Sequence, residues 1–279
     1  MHRLDPHHGT PAYHQALSTI HGVMHKVFRR QKDRAVAEAK RLMKSKRLTM
    51  FKADDDSSDF DPNEIVDGIY DDVFEEYRSV PSEVRPALEQ AMLAGINTGM
   101  LQLELHDTDL IAKANSIAEE YARERAAELV GMRYDLEGNL VENPNAEWAI
   151  SDTTREKIKR IVVNAFEGET RIADISAKVQ QALIDDEAGI FTEARAKMIA
   201  TTEVAHAQAG GNWEVWKKSG LVQTVRWTVS ADEPCEICAD NEDEEVEFGE
   251  EFDSGDTMPP AHPGCRCVLV AVKISDEEE

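Results

Sequence analysis

The four cysteines of this chain lie in two short motifs, Cys235-Glu-Ile-Cys238 and His262-Pro-Gly-Cys265-Arg-Cys267, with 26 residues between Cys238 and Cys265. Two close pairs drawn together from distant points can close a tetrahedral thiolate site, because each short spacing lets one turn present two ligands to the same ion. Five donors compete for four positions: Cys235, Cys238, His262, Cys265 and Cys267. The gaps in Cys235-x-x-Cys238 and His262-x-x-Cys265 are equal, and two equal knuckles close a tetrahedron with little strain. Cys265-x-Cys267 would put both thiols on one side of an extended chain, which makes Cys267 the substitute for His262. Four filled positions leave no place for an activated water, so the expected cofactor is a structural Zn²⁺ and not a catalytic one.

Other chemistry is thinly signalled. Glu203 and His206 stand three residues apart and, with Asp232, could serve acid–base catalysis, but such a gap is common and polar packing accounts for it. The sequence has no phosphate-binding loop, no nucleophile elbow and no His pair flanking a Glu on a helix. No enzymatic activity is expected.

The chain has 279 residues, of which 41% are apolar and 31% charged, enough for one or two ordinary cores. No stretch reaches the about 18 apolar residues of a membrane span, and residues 1–26 lack the apolar centre and cleavage site of a signal peptide. The expectation is a cytosolic protein, where clustered cysteines serve metal binding in preference to disulfides.

The net charge of −24 is arranged in blocks. Residues 26–52, bounded by Lys26 and Lys52, hold eleven basic and two acidic side chains, whereas residues 53–77 hold eleven acidic and no basic ones. The basic block has two readings: an arm for non-specific DNA contact, or a solvated helix whose bases meet the acidic segment that follows. Residues 230–279 carry seventeen acids against two bases, ten of the acids lying in 239–264. That density repels phosphate, and a thiolate-bound Zn²⁺ adds no positive charge, so the cysteine module is not expected to read DNA. The acidic loop, 239–261, lacks the fixed ligand spacing of an EF-hand and is expected to be solvated and partly disordered.

The elements that must position the cysteines are mainly helical. Residues 1–13, with Pro6, Gly9, Pro11 and irregular histidines, read as a flexible arm. Residues 14–132 read as a helical N-terminal region: a long basic helix to about Phe51, a helix capped by Asp61 with Pro62 and Glu64, another from Pro81-Ser82, and a third from Asp107 stopping at Gly131. Gly95 and Gly99 would let two helices approach. Residues 133–150 form a linker or short hairpin around Leu136-Glu-Gly-Asn-Leu140. In 151–220 Asp152, Thr170 and Thr192 are predicted to cap three helices. The period then changes to two in Val222 to Val229 and again after Cys267, giving a zinc-stapled β module over 221–274 and an acidic tail over 275–279. The fold class expected is mainly α with a small C-terminal zinc-stapled β module (α+β). Such a small sheet needs the metal that its core cannot replace.

Arg195-Ala-Lys-Met-Ile-Ala-Thr-Thr-Glu203, Gly220 before a strand with Trp227, Cys235-x-x-Cys238 and Pro259-Pro-Ala-His262-Pro-Gly-Cys265-Arg-Cys267 together resemble the phage Mu protein F-like minor head proteins, the phage head morphogenesis family. The similarity covers residues 150–272, with Thr201 standing where the family usually has Arg. The acidic insert between the cysteine pairs is a second departure. The resemblance implies a minor capsid protein of a tailed phage or prophage that associates with the portal protein, capsid or scaffold protein. Such proteins aid head assembly and DNA packaging or ejection. It implies a virion location, in the capsid interior or at the portal vertex, and the bacterial host cytoplasm during assembly. The alternative is a phage DNA-processing enzyme, a nuclease or ADP-ribosyltransferase related module, with Glu203 or His206 in its site.

Overall fold

The computed structural model of the chain describes residues 10–50, 61–106, 108–167, 172–229 and 234–274. The helices are α1 (Pro11–Met50), α2 (Pro62–Phe74), α3 (Val80–Gln102), α4 (Thr108–Glu128), α5 (Ile150–Phe166), α6 (Ile172–Asp185), α7 (Glu193–Ser219) and the short α8 (Glu236–Asp240). The strands are β1 (Met132–Tyr134), β2 (Leu140–Glu142), β3 (Val222–Thr228), β4 (Glu245–Glu247) and β5 (Val268–Ile274), in two small antiparallel sheets. The fold is therefore mainly helical with a small C-terminal sheet. No helix among the described residues is long and apolar enough to cross a membrane. The chain divides into two compact units, one from 1–22, 84–125 and 197–279, the other from 23–83 and 126–196.

The second unit is built on the apolar faces of α1, α2, α5 and α6. Ala35, Ala39 and Met43 on α1, Ile65, Ile69 and Val73 on α2, Ile158 and Val162 on α5, and Val179 and Leu183 on α6 form one buried cluster. These are the three- and four-residue spacings of amphipathic helices. Asp61 caps α2, its side chain accepting from the Asn63 amide at 2.8 Å, with Pro62 at the first helical position. The basic and acidic blocks meet: Arg30 pairs with Glu76, and Arg34 with Glu76 at 2.7 Å and Asp72 at 3.2 Å. A 3₁₀ turn, Glu75–Ser79, joins α2 to α3, which starts at Val80, one residue ahead of Pro81.

The expected turn at residues 136–140 is the tip of the β1–β2 hairpin, in register Tyr134↔Leu140. Asp135 closes it by accepting from the amides of Asn139 at 2.7 Å and Glu137 at 3.0 Å, and the Asn139 bond leads in holding its carboxyl below the usual range. Asp152 is not the cap of α5. That helix begins at Ile150 after Ala149, which makes no side-chain cap bond, and the Ile150 amide donates to the Leu129 carbonyl instead. Asp152 lies in the first turn, where its charge suits the helix dipole. Thr192 does cap α7, accepting from the Arg195 amide at 3.2 Å. The side chain of Arg195 is buried, bonded to the carbonyls of Ile190 and Ile150 and to Thr154, with its guanidinium over the Phe28 ring. Thr170, Asp107, most of the N-terminal arm, the acids at 53–60, Asp232 and the acidic tail lie outside the described residues.

The first unit holds the cysteine motifs. α3 and α7 cross with backbones in contact: a Cβ at Gly95 would lie 2.2 Å from the Gln208 carbonyl oxygen, and one at Gly211 would lie 2.4 Å from that of Met92. Gly99 is close to Asn212 and Val215 in the same seam. The glycine spacing read from the sequence thus marks a real crossing, and Gly211 on α7 completes it. The three-stranded sheet has order β4-β3-β5, with Val225 opposite both Val246 and Ala271. Strand β4 and helix α8 were not expected. β4 lies within the acidic stretch 239–261, expected to be partly disordered, and α8 runs into its start; the stretch is held in place as follows. Phe248 packs on Trp213 at a 4.3 Å centroid separation and Phe252 on Trp227 at 5.1 Å. Buried Asn241 exchanges bonds with Ser254, which donates to Asp256 at 2.8 Å. Two aromatic anchors and a saturated polar knot offset the repulsion among acids that remain solvated.

Candidate metal centre

Each motif folds as a tight turn. After Cys235, α8 begins and the Ala239 amide donates to the Cys235 carbonyl at 2.9 Å, which swings Cys238 back beside Cys235. In the second motif the Cys265 amide donates to the His262 carbonyl at 3.0 Å, with Gly264 at φ +82°. Gly264 is required there because a left-handed turn strains any residue bearing a Cβ. Cys267 then leads directly into β5.

All five donors that the sequence singled out converge. Cys235, Cys238 and His262 form one group, and Cys238, Cys265 and Cys267 a second, with the ligand atoms in each lying within 4.8 Å of one another. Cys238 belongs to both. His262 Nε2 lies 3.1 Å from Cys235 Sγ and 3.3 Å from Cys238 Sγ, and Cys238 Sγ lies 3.7 Å from Cys265 Sγ. For zinc–sulfur bonds of about 2.3 Å a tetrahedron has sulfur–sulfur edges of about 3.8 Å, which the last of these distances matches. The donor set fits a zinc ion.

Burial grades across the centre: Cys238, Cys265 and Cys267 are buried while Cys235 is exposed. Three thiols sharing a dry site cannot all ionise. A hydrogen bond from Cys267 holds the Cys265 thiol down at about 5, Cys267 is in turn pushed up chiefly by that same bond, and burial pushes Cys238 up to about 12. A divalent cation relieves this crowding by stabilising several thiolates together.

The α7 helix supports the centre. Thr202 Oγ1 accepts from the Gly264 amide at 2.8 Å and donates to the Met198 carbonyl at 2.8 Å, clamping the second turn to the helix. Beside it, Glu203 is buried in a two-pronged pair with Arg125 of α4, Nε and Nη2 each donating at 2.8 Å. His206 Nδ1 meets the Tyr121 hydroxyl at 2.6 Å with the two rings stacked. Glu203 and His206 thus sit in the α4–α7 packing. The sequence named both but not Arg125, Tyr121 or the clamping role of Thr202. Arg125 carried a signal, since a base in an alanine-rich helix face needs a buried acid.

Residues 156–270 match the family model described as Phage Mu protein F like protein. The chain therefore carries a phage Mu protein F-like domain, which includes most of α5 and all of α6, α7, the three-stranded sheet's β3 and β4, and every candidate ligand. No curated protein and no solved structure matches the chain.

Proposed function

We propose that this chain is a minor capsid, head morphogenesis protein of a tailed phage or prophage, which associates with the portal and aids head assembly and DNA packaging or ejection. The observation that carries the reading is the Mu F-like match over 156–270, whose four sequence motifs become one physical object. Thr202 and Glu203 of the first motif hold the second knuckle and the helix packing, Trp227 is buried in β3, and the two cysteine motifs meet as a clasp. In this reading the clasp binds structural zinc through Cys235, Cys238, His262 and Cys265, and the protein has no catalytic site. The occupied state of Glu203 and His206 supports that over a nuclease or transferase. The test is deletion of the gene from its phage or prophage. The expected result is a loss of filled heads, with the protein detected in purified wild-type virions by mass spectrometry; normal heads, and virions without it, would overturn the proposal.

A specific observation favours an added DNA contact. Pairing to Glu76, Asp72 and Glu38 occupies Arg30, Arg34 and Arg41, while Lys26, Arg29, Lys40 and Lys44 are exposed. At 100° per residue these four share one face of α1, with the exposed Asp33 among them, and leave that face net positive and suited to phosphates.

A further inference from the structure

Helix α7 turns a polar row inward. Gln208, Asn212 and Trp216 follow one another at four-residue intervals, so they share one face of the helix, and they are buried, at 5%, 4% and 1% exposure. An amphipathic helix points such side chains outward, and buried polar groups need partners. Rotation of α7 cannot release them, because the backbones of Gln208 and Asn212 lie in the seam where α3 crosses at Gly95 and Gly99. The indole N–H of Trp216 has no hydrogen-bond partner among the described residues.

The same row lines a small cavity between α7 and the start of β5. Ala209, whose methyl group leaves the room, stands on the helix side, and Leu269 faces it from the strand. The cavity offers about 20 Å³ to the centre of a water-sized sphere, against the about 10–15 Å³ that one water requires. An apolar cavity of this size stays dry, whereas an indole N–H and two carboxamides make this one polar.

We propose that the cavity is the seat of one ordered water, which accepts the Trp216 indole N–H and donates to the carboxamide oxygens of Gln208 and Asn212. One donor and two acceptors match the lone pair and the two hydrogens that the water brings, and about three bonds are usual for a buried water. Held there, it satisfies an N–H that the helix cannot turn outward and links side chains over about two turns of α7 beneath β5. The polar row is thus a binding site for solvent, built into the packing of the helix on the sheet.

The test uses the reduced full chain with its four tryptophans labelled with ¹⁵N. Magnetisation should pass from water to the Trp216 indole proton by dipolar contact, without chemical exchange of that proton, and Trp216→Phe identifies the resonance by removing it. Ala209→Val fills the cavity and should abolish the transfer. A crystal structure of the wild type that orders solvent reads the same site without any variant: a water should lie about 2.7–3.2 Å from Trp216 Nε1 and within reach of both carboxamides. An indole bonded directly to Gln208 or Asn212, a wild-type cavity with no ordered water, or a transfer that Ala209→Val leaves unchanged would overturn the proposal.

Discussion

Thr202 Oγ1 accepts the Gly264 amide at 2.8 Å, so the helix that carries the Thr-Thr-Glu motif holds the turn between His262 and Cys265 directly. Thr202 is buried, and its hydroxyl is also bonded to the Met198 carbonyl. Thr202→Val keeps the shape but leaves the Gly264 amide without that acceptor, a loss of about 1–3 kcal/mol. The expected outcome is a lower unfolding midpoint and weaker zinc binding, with Thr202→Ser retaining both. Calorimetric melting with and without zinc checks it.

The Arg125–Glu203 pair has both side chains almost wholly buried. Removing one partner strands a charge, and Arg125→Ala should cost about 3–5 kcal/mol. Replacing both, as Arg125→Met with Glu203→Leu, should recover most of that loss. Urea unfolding of the wild type and these two variants separates a structural pair from a catalytic carboxylate, because only the structural role predicts recovery.

Two glycines should behave oppositely when changed to alanine. Gly211→Ala drives a Cβ to 2.4 Å from the Met92 carbonyl oxygen and 2.6 Å from the Ile96 amide nitrogen, so α3 and α7 must separate. A loss of about 1–3 kcal/mol or more is expected. Gly22 lies in α1 with open space for 4 Å around the place a Cβ would take, so Gly22→Ala should stabilise by about 0.5–1 kcal/mol. Thermal melts of the two variants decide this.

The exposed row on α1 makes a charge prediction. Changing Lys26, Arg29, Lys40 and Lys44 to Gln should flatten the dependence of DNA affinity on salt, the slope falling by about 0.9 for each phosphate no longer neutralised. Changing Arg30 and Arg34 to Gln should act mainly on stability through Glu76 and Asp72. Equal slopes in both sets would remove DNA from the account of this face.

What could be read from the sequence follows from how local the signals are. Asp61 with Pro62, Thr192 before α7 and Gly131 after α4 mark helix ends through their own backbone requirements, and the structure uses them so. The cysteine motifs announce the clasp because ligand chemistry needs those residues at those spacings. The order of the acidic stretch was not legible: composition predicts repulsion, while its ordering depends on Phe248 reaching Trp213 and on Asn241 reaching Ser254, pairings that no local pattern encodes. Asp152 misled for a related reason, since the Leu129 carbonyl, remote in sequence, receives the amide that opens α5. Arg125 was missed because its acid lies 78 residues away.

Zinc content and its effect on unfolding decide whether the two cysteine motifs clasp a metal. Purified under reducing conditions, the full chain should carry one zinc per molecule by elemental analysis. Chelation should lower the unfolding midpoint and expose Trp227 fluorescence to quencher, and readdition of zinc should reverse both changes. Protein with no stoichiometric zinc, or with a midpoint indifferent to chelator and to Cys235→Ser, would contradict a metal clasp at these motifs.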